Sequence, residues 1–167
     1  MSCAKLSLLS SLLLALSSVE ARTDEVELPH KALLVVVHKD RPESDIPVDK
    51  LARIFRGEEK FWSNAERIYP VLPPEDTGLR RQRFLSSLLK LSQREFNLHW
   101  KELVFRGDVA EVPLSPPDER GALRTVFASR GGIALVDGGS VKNLSSVVKV
   151  LTVSGKSPES LDYPLKW

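Results

Sequence analysis

The chain has 167 residues, of which 42% are hydrophobic and 28% are charged, with 11 prolines, 9 glycines and one cysteine. This composition excludes collagen, mucin and coiled-coil arrays as well as a disordered chain. The length suits one domain with a single core. The 24 basic and 22 acidic residues give a formal net charge of +2, too small to predict a nucleic-acid or membrane surface.

The first 21 residues have the pattern of a secretory signal peptide. Lys5 precedes an apolar run over residues 6–16, and small or tolerated residues end at Ala21. The alternative is a transmembrane anchor, but the run is shorter than a membrane span. Cys3 lies before the run, whereas a lipoprotein needs its cysteine after it. Removal of residues 1–21 leaves 146 residues without cysteine or a transmembrane segment, so we expect a periplasmic protein without disulfides or a lipid anchor.

Residues 22–31 are charged and irregular and are interpreted as an N-terminal extension. The predicted domain covers residues 32–156 and starts with a continuous apolar strand over 33–37, typical of a strand buried on both faces. A helix follows, bounded by Pro47 and Gly57. Its apolar positions recur at helical spacing at Val48, Leu51, Ala52 and Phe55.

The alternation of strand and helix continues along the chain. A strand over 68–72 precedes a helix with apolar positions at Leu79, Phe84, Leu85, Leu88 and Leu89. Ser92 and Glu95 form a capping box, and the helix that they open buries a stripe of Phe96, Trp100, Leu103 and Val104.

The last predicted helix begins at residues 115–118 and ends at Gly131-Gly132. Its predicted inward face consists of Leu123, Val126 and Phe127, and strands over 133–136 and 147–153 complete the set. Parallel strands require helical crossovers, so this order predicts an α/β fold in three layers, with a mostly parallel sheet flanked by helices.

The sequence contains few residues in the pattern of a known catalytic motif. His30, His38 and His99 do not stand at metal-ligand spacing, and the chain after residue 21 has no cysteine. It has no nucleophile elbow, no Walker loop and no Gly-rich dinucleotide motif. We therefore expect no enzyme activity, no metal and no cofactor.

One junction between a strand and a helix has the composition of a ligand site. In an open α/β sheet, ligands bind where the carboxyl end of a strand turns into a helix. The helix start offers unpaired N–H groups, and glycine lets a ligand approach the backbone. The alternative is an ordinary N-cap followed by solvated arginines. The candidate binding residues are Asp76, Thr77, Gly78, Leu79, Arg80 and Arg81.

The order of several short motifs resembles the periplasmic phosphate-binding proteins of ABC transporters, which have a Venus-flytrap fold. In that family a helix ends in Ile-Phe-x-Gly, a Trp follows, a Ser-Gly-Thr turn binds the anion, and a Gly-x-Ile-Gly-Tyr-like strand comes later. The corresponding positions in this chain are 54–57, Trp62, 77–79 and 132–135. The resemblance covers roughly residues 32–156 and implies one lobe of the two-lobed fold.

Two departures from the family bear on ligand binding. The resemblance implies an arginine four residues before the turn, where this chain has Pro73, and a threonine where it has Leu79. The 146 residues after the leader suffice for one lobe and not for two. A buried dianion needs several donors and compensating charge, so we expect weak binding at most.

Two functions are open at this point. In the first, the domain is an exported solute-binding module that holds phosphate or another oxyanion weakly at the helix that starts near Thr77. In the second, it has lost phosphate binding and is a periplasmic protein-interaction or signalling module, which meets a partner or a second copy through its cleft face.

Two aromatic features have alternative interpretations. Trp62 is either a platform for stacking a ligand or a packing anchor. Residues 157–167 are a C-terminal tail that either is loosely ordered or docks on a partner or on its own lobe.

Overall fold

A computed structural model of the chain describes residues 32–74, 78–138 and 148–166. The signal peptide and the N-terminal extension predicted above lie outside the described residues. In the described residues no helix is both long enough and apolar enough to cross a membrane.

The strands are β1 (Leu33–His38), β2 (Asp45–Ile46), β3 (Tyr69–Val71), β4 (Gly132–Asp137) and β5 (Val148–Val153). The helices are α1 (Val48–Phe55), α2 (Leu79–Arg83), α3 (Gln93–Phe105) and α4 (Glu119–Ala128), and a π-helical segment (Phe84–Leu89) continues α2. The helix and strand positions predicted from the sequence are confirmed. The structure adds β2, which was not predicted because the sequence has no apolar run there.

The five strands form one sheet in the order β2-β5-β1-β4-β3. β1 is antiparallel to both of its neighbours, whereas β2 pairs parallel with β5 and β3 pairs parallel with β4. Four strands therefore point the same way, and only the central strand runs against them. The predicted α/β fold is confirmed, with a mixed sheet: four of the five strands are parallel in direction, but both pairings of the central strand β1 are antiparallel.

The sheet separates two apolar cores, which makes the fold three-layered. Leu33, Val35 and Val37 face the larger core, which contains α1, the π-helical segment, α3 and the C-terminal segment. Leu34 and Val36 face the smaller core beneath α4. The alternation follows from the pleat of a strand, in which successive side chains point to opposite faces.

Local signals fix the helix ends. Ser92 accepts a hydrogen bond from the Glu95 N–H, and the Glu95 carboxylate accepts one from the Ser92 N–H, as the capping box predicts. Asp118 caps α4 by accepting from the Gly121 N–H. The prediction for Phe127 is wrong: this side chain is 53% exposed and stacks on His38 near the end of α4.

The C-terminal segment packs on its own domain. Tyr163 and Leu165 are buried in the larger core, and the Leu165 carbonyl accepts a hydrogen bond from the Leu33 N–H. Burial raises the pKa of the Tyr163 hydroxyl. Of the alternatives for this tail, docking on its own lobe is the one observed.

Trp62 is a packing anchor and not an exposed platform. Its indole N–H donates to the Gly131 carbonyl at 3.1 Å, and the Arg41 guanidinium lies over the ring, 4.4 Å from its centroid. Arg41 is itself buried and makes ion pairs with Glu43 at 2.7 Å and Glu66 at 2.6 Å. Burial raises the pKa of Glu43, but the hydrogen bonds and charge of Arg41 outweigh it and hold the pKa below its ordinary value.

We expect Arg41→Met to lower the free energy of unfolding by about 2–4 kcal/mol, because it removes the cation and leaves two part-buried carboxylates unpaired. Urea unfolding of the purified protein measures the change. The matched control is Arg53→Met, because Arg53 pairs with Glu59 at the exposed surface, where such pairs contribute about 1 kcal/mol or less. Equal effects of the two substitutions would contradict the structural role of Arg41.

Candidate functional site

The predicted site lies where the chain leaves β3 and begins α2. Residues 75–77 are outside the described part of the chain, so Asp76 and Thr77 remain predicted site residues. Gly78 occupies the N-cap position of α2, with φ +49° and ψ −107°. A Cβ added at Gly78 would have no atom within 4 Å, so space does not require glycine here. The backbone conformation favours glycine, because residues with a side chain rarely adopt a positive φ.

The first turn of α2 is open to solvent on one side. Gly78 is exposed, and the Leu79 side chain is 70% exposed although it is large and apolar. Because Gly78 has no side chain, no side chain of the N-cap residue satisfies the first N–H groups of α2. These N–H groups are the ones that the sequence assigned to a ligand.

Arg80 connects α2 to the end of β4. Its guanidinium forms an ion pair with the carboxylate of Asp137, the last residue of β4. The Asp137 N–H donates to the Glu119 carboxylate at 2.7 Å, and Glu119 is the first residue of α4. The start of α2, the end of β4 and the start of α4 therefore meet at Arg80.

Arg81 points in a different direction and is buried. Its guanidinium donates to the Pro73 carbonyl at 3.0 Å, to the Gln93 side-chain oxygen at 3.0 Å and to the Ser115 hydroxyl at 2.6 Å. These partners come from the segment after β3, the start of α3 and the loop before α4. Arg81 thus joins three segments that surround α2, and of the two predicted arginines Arg80 is the one at the sheet edge.

A cleft of about 550 Å³ lies on the Arg81 side of α2, and Gly78 stands at its margin. Its walls include the apolar side chains Leu72 and Trp100 and the amides of Gln93 and Asn97. The predicted residues are therefore divided between two sides of one short helix.

Among the described residues at the site, basic and acidic side chains are present in equal number. Arg80 and Arg81 are accompanied by the carboxylates of Asp137 and Glu119, and Arg80 already has an ionic partner. A dianion would therefore meet two carboxylates as well as two guanidinium groups among the described residues, and the carboxylates lower its expected affinity. The sequence analysis did not select Asp137 or Glu119 as site residues. Their positions could have indicated them, since Asp137 ends a strand and Glu119 begins a helix at the same end of the sheet.

The described residues contain no group of three His, Cys, Asp or Glu side chains arranged to hold a metal ion. Neither a family model nor a curated protein sequence matches this chain.

Solved structures match the fold. An ABC-type phosphate transport receptor from Vibrio cholerae superimposes with a TM-score of 0.60 and 22% identity, over 80% of this chain and 52% of its own. PstS from Borrelia burgdorferi gives a TM-score of 0.61 and 15% identity, over 81% and 54% of the two chains. A third structure is a protein from Clostridium perfringens, proposed as a phosphate ABC transporter substrate-binding protein and solved with bound phosphate. It gives a TM-score of 0.58 and 17% identity, over 80% of this chain and 49% of its own.

This chain spans about half the length of each of these proteins. It has the fold of a single lobe of the phosphate ABC transporter substrate-binding proteins, as the sequence motifs implied. These structural neighbours are binding proteins and not enzymes.

We expect Arg81→Met to destabilise the domain by about 2–4 kcal/mol, because one substitution leaves three part-buried acceptors without their donor. Arg83→Met is the matched control, since Arg83 is an exposed arginine of the same helix. Chemical unfolding of the two variants measures the difference. Equal stability of both variants would show that the contacts of Arg81 contribute nothing to the fold.

Proposed function

We propose that this protein is an exported, periplasmic solute-binding domain that holds phosphate or a similar oxyanion weakly at the start of α2. The observation that carries the proposal is the convergence of α2, β4 and α4 at Arg80, beside the segment that leaves β3. This is the position at which open α/β sheets bind their ligands.

The donors proposed for the anion are few. They are the backbone N–H groups of Gly78 and Leu79 and the guanidinium of Arg80, with the Thr77 hydroxyl and the turn at Asp76 completing the site. The helix that begins at Leu79 continues through the π-helical segment to Leu89, so its positive end adds to the field of Arg80.

Weak binding follows from the same residues. Pro73 supplies a carbonyl to Arg81 in place of the arginine that the family resemblance implies, and Leu79 supplies no hydroxyl. Asp137 and Glu119 oppose a negative ligand. We therefore expect a dissociation constant in the millimolar range, equivalent to about 4 kcal/mol of binding free energy.

Phosphate at ten times its dissociation constant should stabilise the wild-type protein by about 1.4 kcal/mol, and Arg80→Gln should remove most of this gain because it removes the cation. Unfolding measured with and without phosphate, at constant ionic strength, tests both expectations. Arg83→Gln makes the same charge change at an exposed position of α2 and should leave the gain intact. No stabilisation of the wild-type protein by phosphate or sulfate would contradict the proposal.

A second candidate function is supported by apolar surface at the β3 side of the sheet. Phe61, Tyr69, Val112 and Leu114 are each partly exposed and line one cleft of about 520 Å³. The Leu114 N–H donates to the Pro70 carbonyl, so the segment carrying Leu114 lies along the outer edge of β3. Contiguous exposed apolar side chains mark interaction surfaces, and the partner proposed for this surface is a second copy of the chain.

If the cleft joins two copies, sedimentation velocity should show a dimer at micromolar concentration. Phe61→Ser combined with Leu114→Ser should then convert the dimer to a monomer, because both substitutions remove apolar area from the cleft. Leu161→Ser is the control, since Leu161 is exposed outside this cleft. A wild-type protein that stays monomeric at millimolar concentration would rule out the dimer.

A further inference from the structure

We infer that the outer face of α4 is a docking surface for an acidic segment with apolar side chains, and that its occupant is residues 24–28 of the same chain. The inference goes beyond the proposed function and is independent of it, because no residue of this face belongs to the proposed anion site. Its basis is the charge and exposure of α4, together with the point at which the preceding residues enter the fold.

The outer face of α4 is basic around one exposed aromatic ring. Arg120 and Arg124 stand one turn apart, Phe127 follows about one turn later, and Arg130 comes just after the helix. All three arginines are exposed, and in the described part of the chain none of them makes an ion pair. The opposite side of the helix is buried in the smaller core, so the helix presents this face to whatever binds it.

The acidic residues near this face are engaged at the first turn of the helix. Asp118 accepts a hydrogen bond from the Gly121 N–H, and Glu119 accepts one from the Asp137 N–H. From residue 120 to residue 130 every charged side chain is an arginine. An acidic partner is therefore the complementary one, whereas the same face of a second copy would bring arginine against arginine.

Residues 24–28 have the composition that this face requires. Asp24, Glu25 and Glu27 place three carboxylates within four positions, and Val26 and Leu28 add apolar side chains beside them. Carboxylates form charge-assisted hydrogen bonds with guanidinium groups. Apolar side chains next to the carboxylates match an exposed aromatic ring that lies among arginines, the pair of residue types that is enriched at protein interfaces.

The chain enters the fold beside the start of α4. The Ala32 carbonyl accepts a hydrogen bond from the Gly138 N–H at 3.2 Å, and the preceding residue, Asp137, donates its N–H to Glu119 at 2.7 Å. Residues 22–31 reach at most roughly 33–36 Å when extended, whereas a helix of the length of α4 measures roughly 15 Å. The acidic residues can therefore reach the whole face, and their covalent attachment gives them a high effective concentration there.

The test is paramagnetic relaxation enhancement in the full-length, ¹⁵N-labelled protein. A nitroxide is attached to Thr23→Cys in a Cys3→Ser background, and amide intensities are compared before and after the label is reduced. We expect the resonances of Phe127 and Ala128 to lose about half of their intensity at low ionic strength. They should recover at about 0.5 M salt, because the screening length between exposed charges falls there to roughly 4 Å.

Substitutions at exposed positions identify the charges that are responsible. Arg120→Gln combined with Arg124→Gln should abolish the loss of intensity, because it removes two cations of the face. Arg94→Gln combined with Lys101→Gln is the matched control, since it removes the same charge from exposed positions of α3, and it should leave the loss intact. A loss that survives the α4 substitutions, or no loss at Phe127 in the unsubstituted protein, would overturn the inference.

A mixed sample distinguishes the chain's own segment from that of a second copy. Spin-labelled protein without ¹⁵N is mixed with ¹⁵N-labelled protein that carries no nitroxide, and we expect Phe127 to keep its intensity. A loss of intensity at Phe127 in this mixture would overturn the assignment of the face to residues 24–28 of the same chain.

Discussion

The central strand β1 is the element on which the rest of the structure depends. Its residues 33–37 are fully buried, and they alternate between the two cores, so that one strand anchors both helical layers. β1 also runs against its four companions. The carboxyl ends of β4 and β5 therefore flank its amino end, and the C-terminal segment joins them there through the hydrogen bond between Leu33 and Leu165.

The antiparallel pairing of β1 with β4 determines where the candidate site lies. The pairing of Leu33 with Asp137 fixes the end of β4, and the Arg80 guanidinium reaches that end from α2. On the other side of α2, Arg81 joins the segments before and after it. The short helix is thus held by one buried arginine, while the neighbouring arginine is partly exposed and pairs with the end of β4.

Most of the fold could be predicted from the sequence, because apolar periodicity and caps such as Ser92 and Asp118 are local signals. The direction of β1 could not, since a strand buried on both faces has the same pattern in either direction. β2 has only two residues and is set by its pairing with β5. At the site, residue spacing pointed to the turn but could not distinguish the buried Arg81 from the partly exposed Arg80, because that difference depends on partners distant in sequence.

The proposed function requires that an oxyanion bind at the first turn of α2. The most direct measurement is a titration of the ¹⁵N-labelled protein with phosphate, followed by the amide resonances of Gly78 and Leu79. If phosphate binds there, these two resonances should shift most and saturate together at millimolar phosphate. An unchanged Gly78 resonance, or larger saturable shifts at the cleft beside Tyr69, would contradict it.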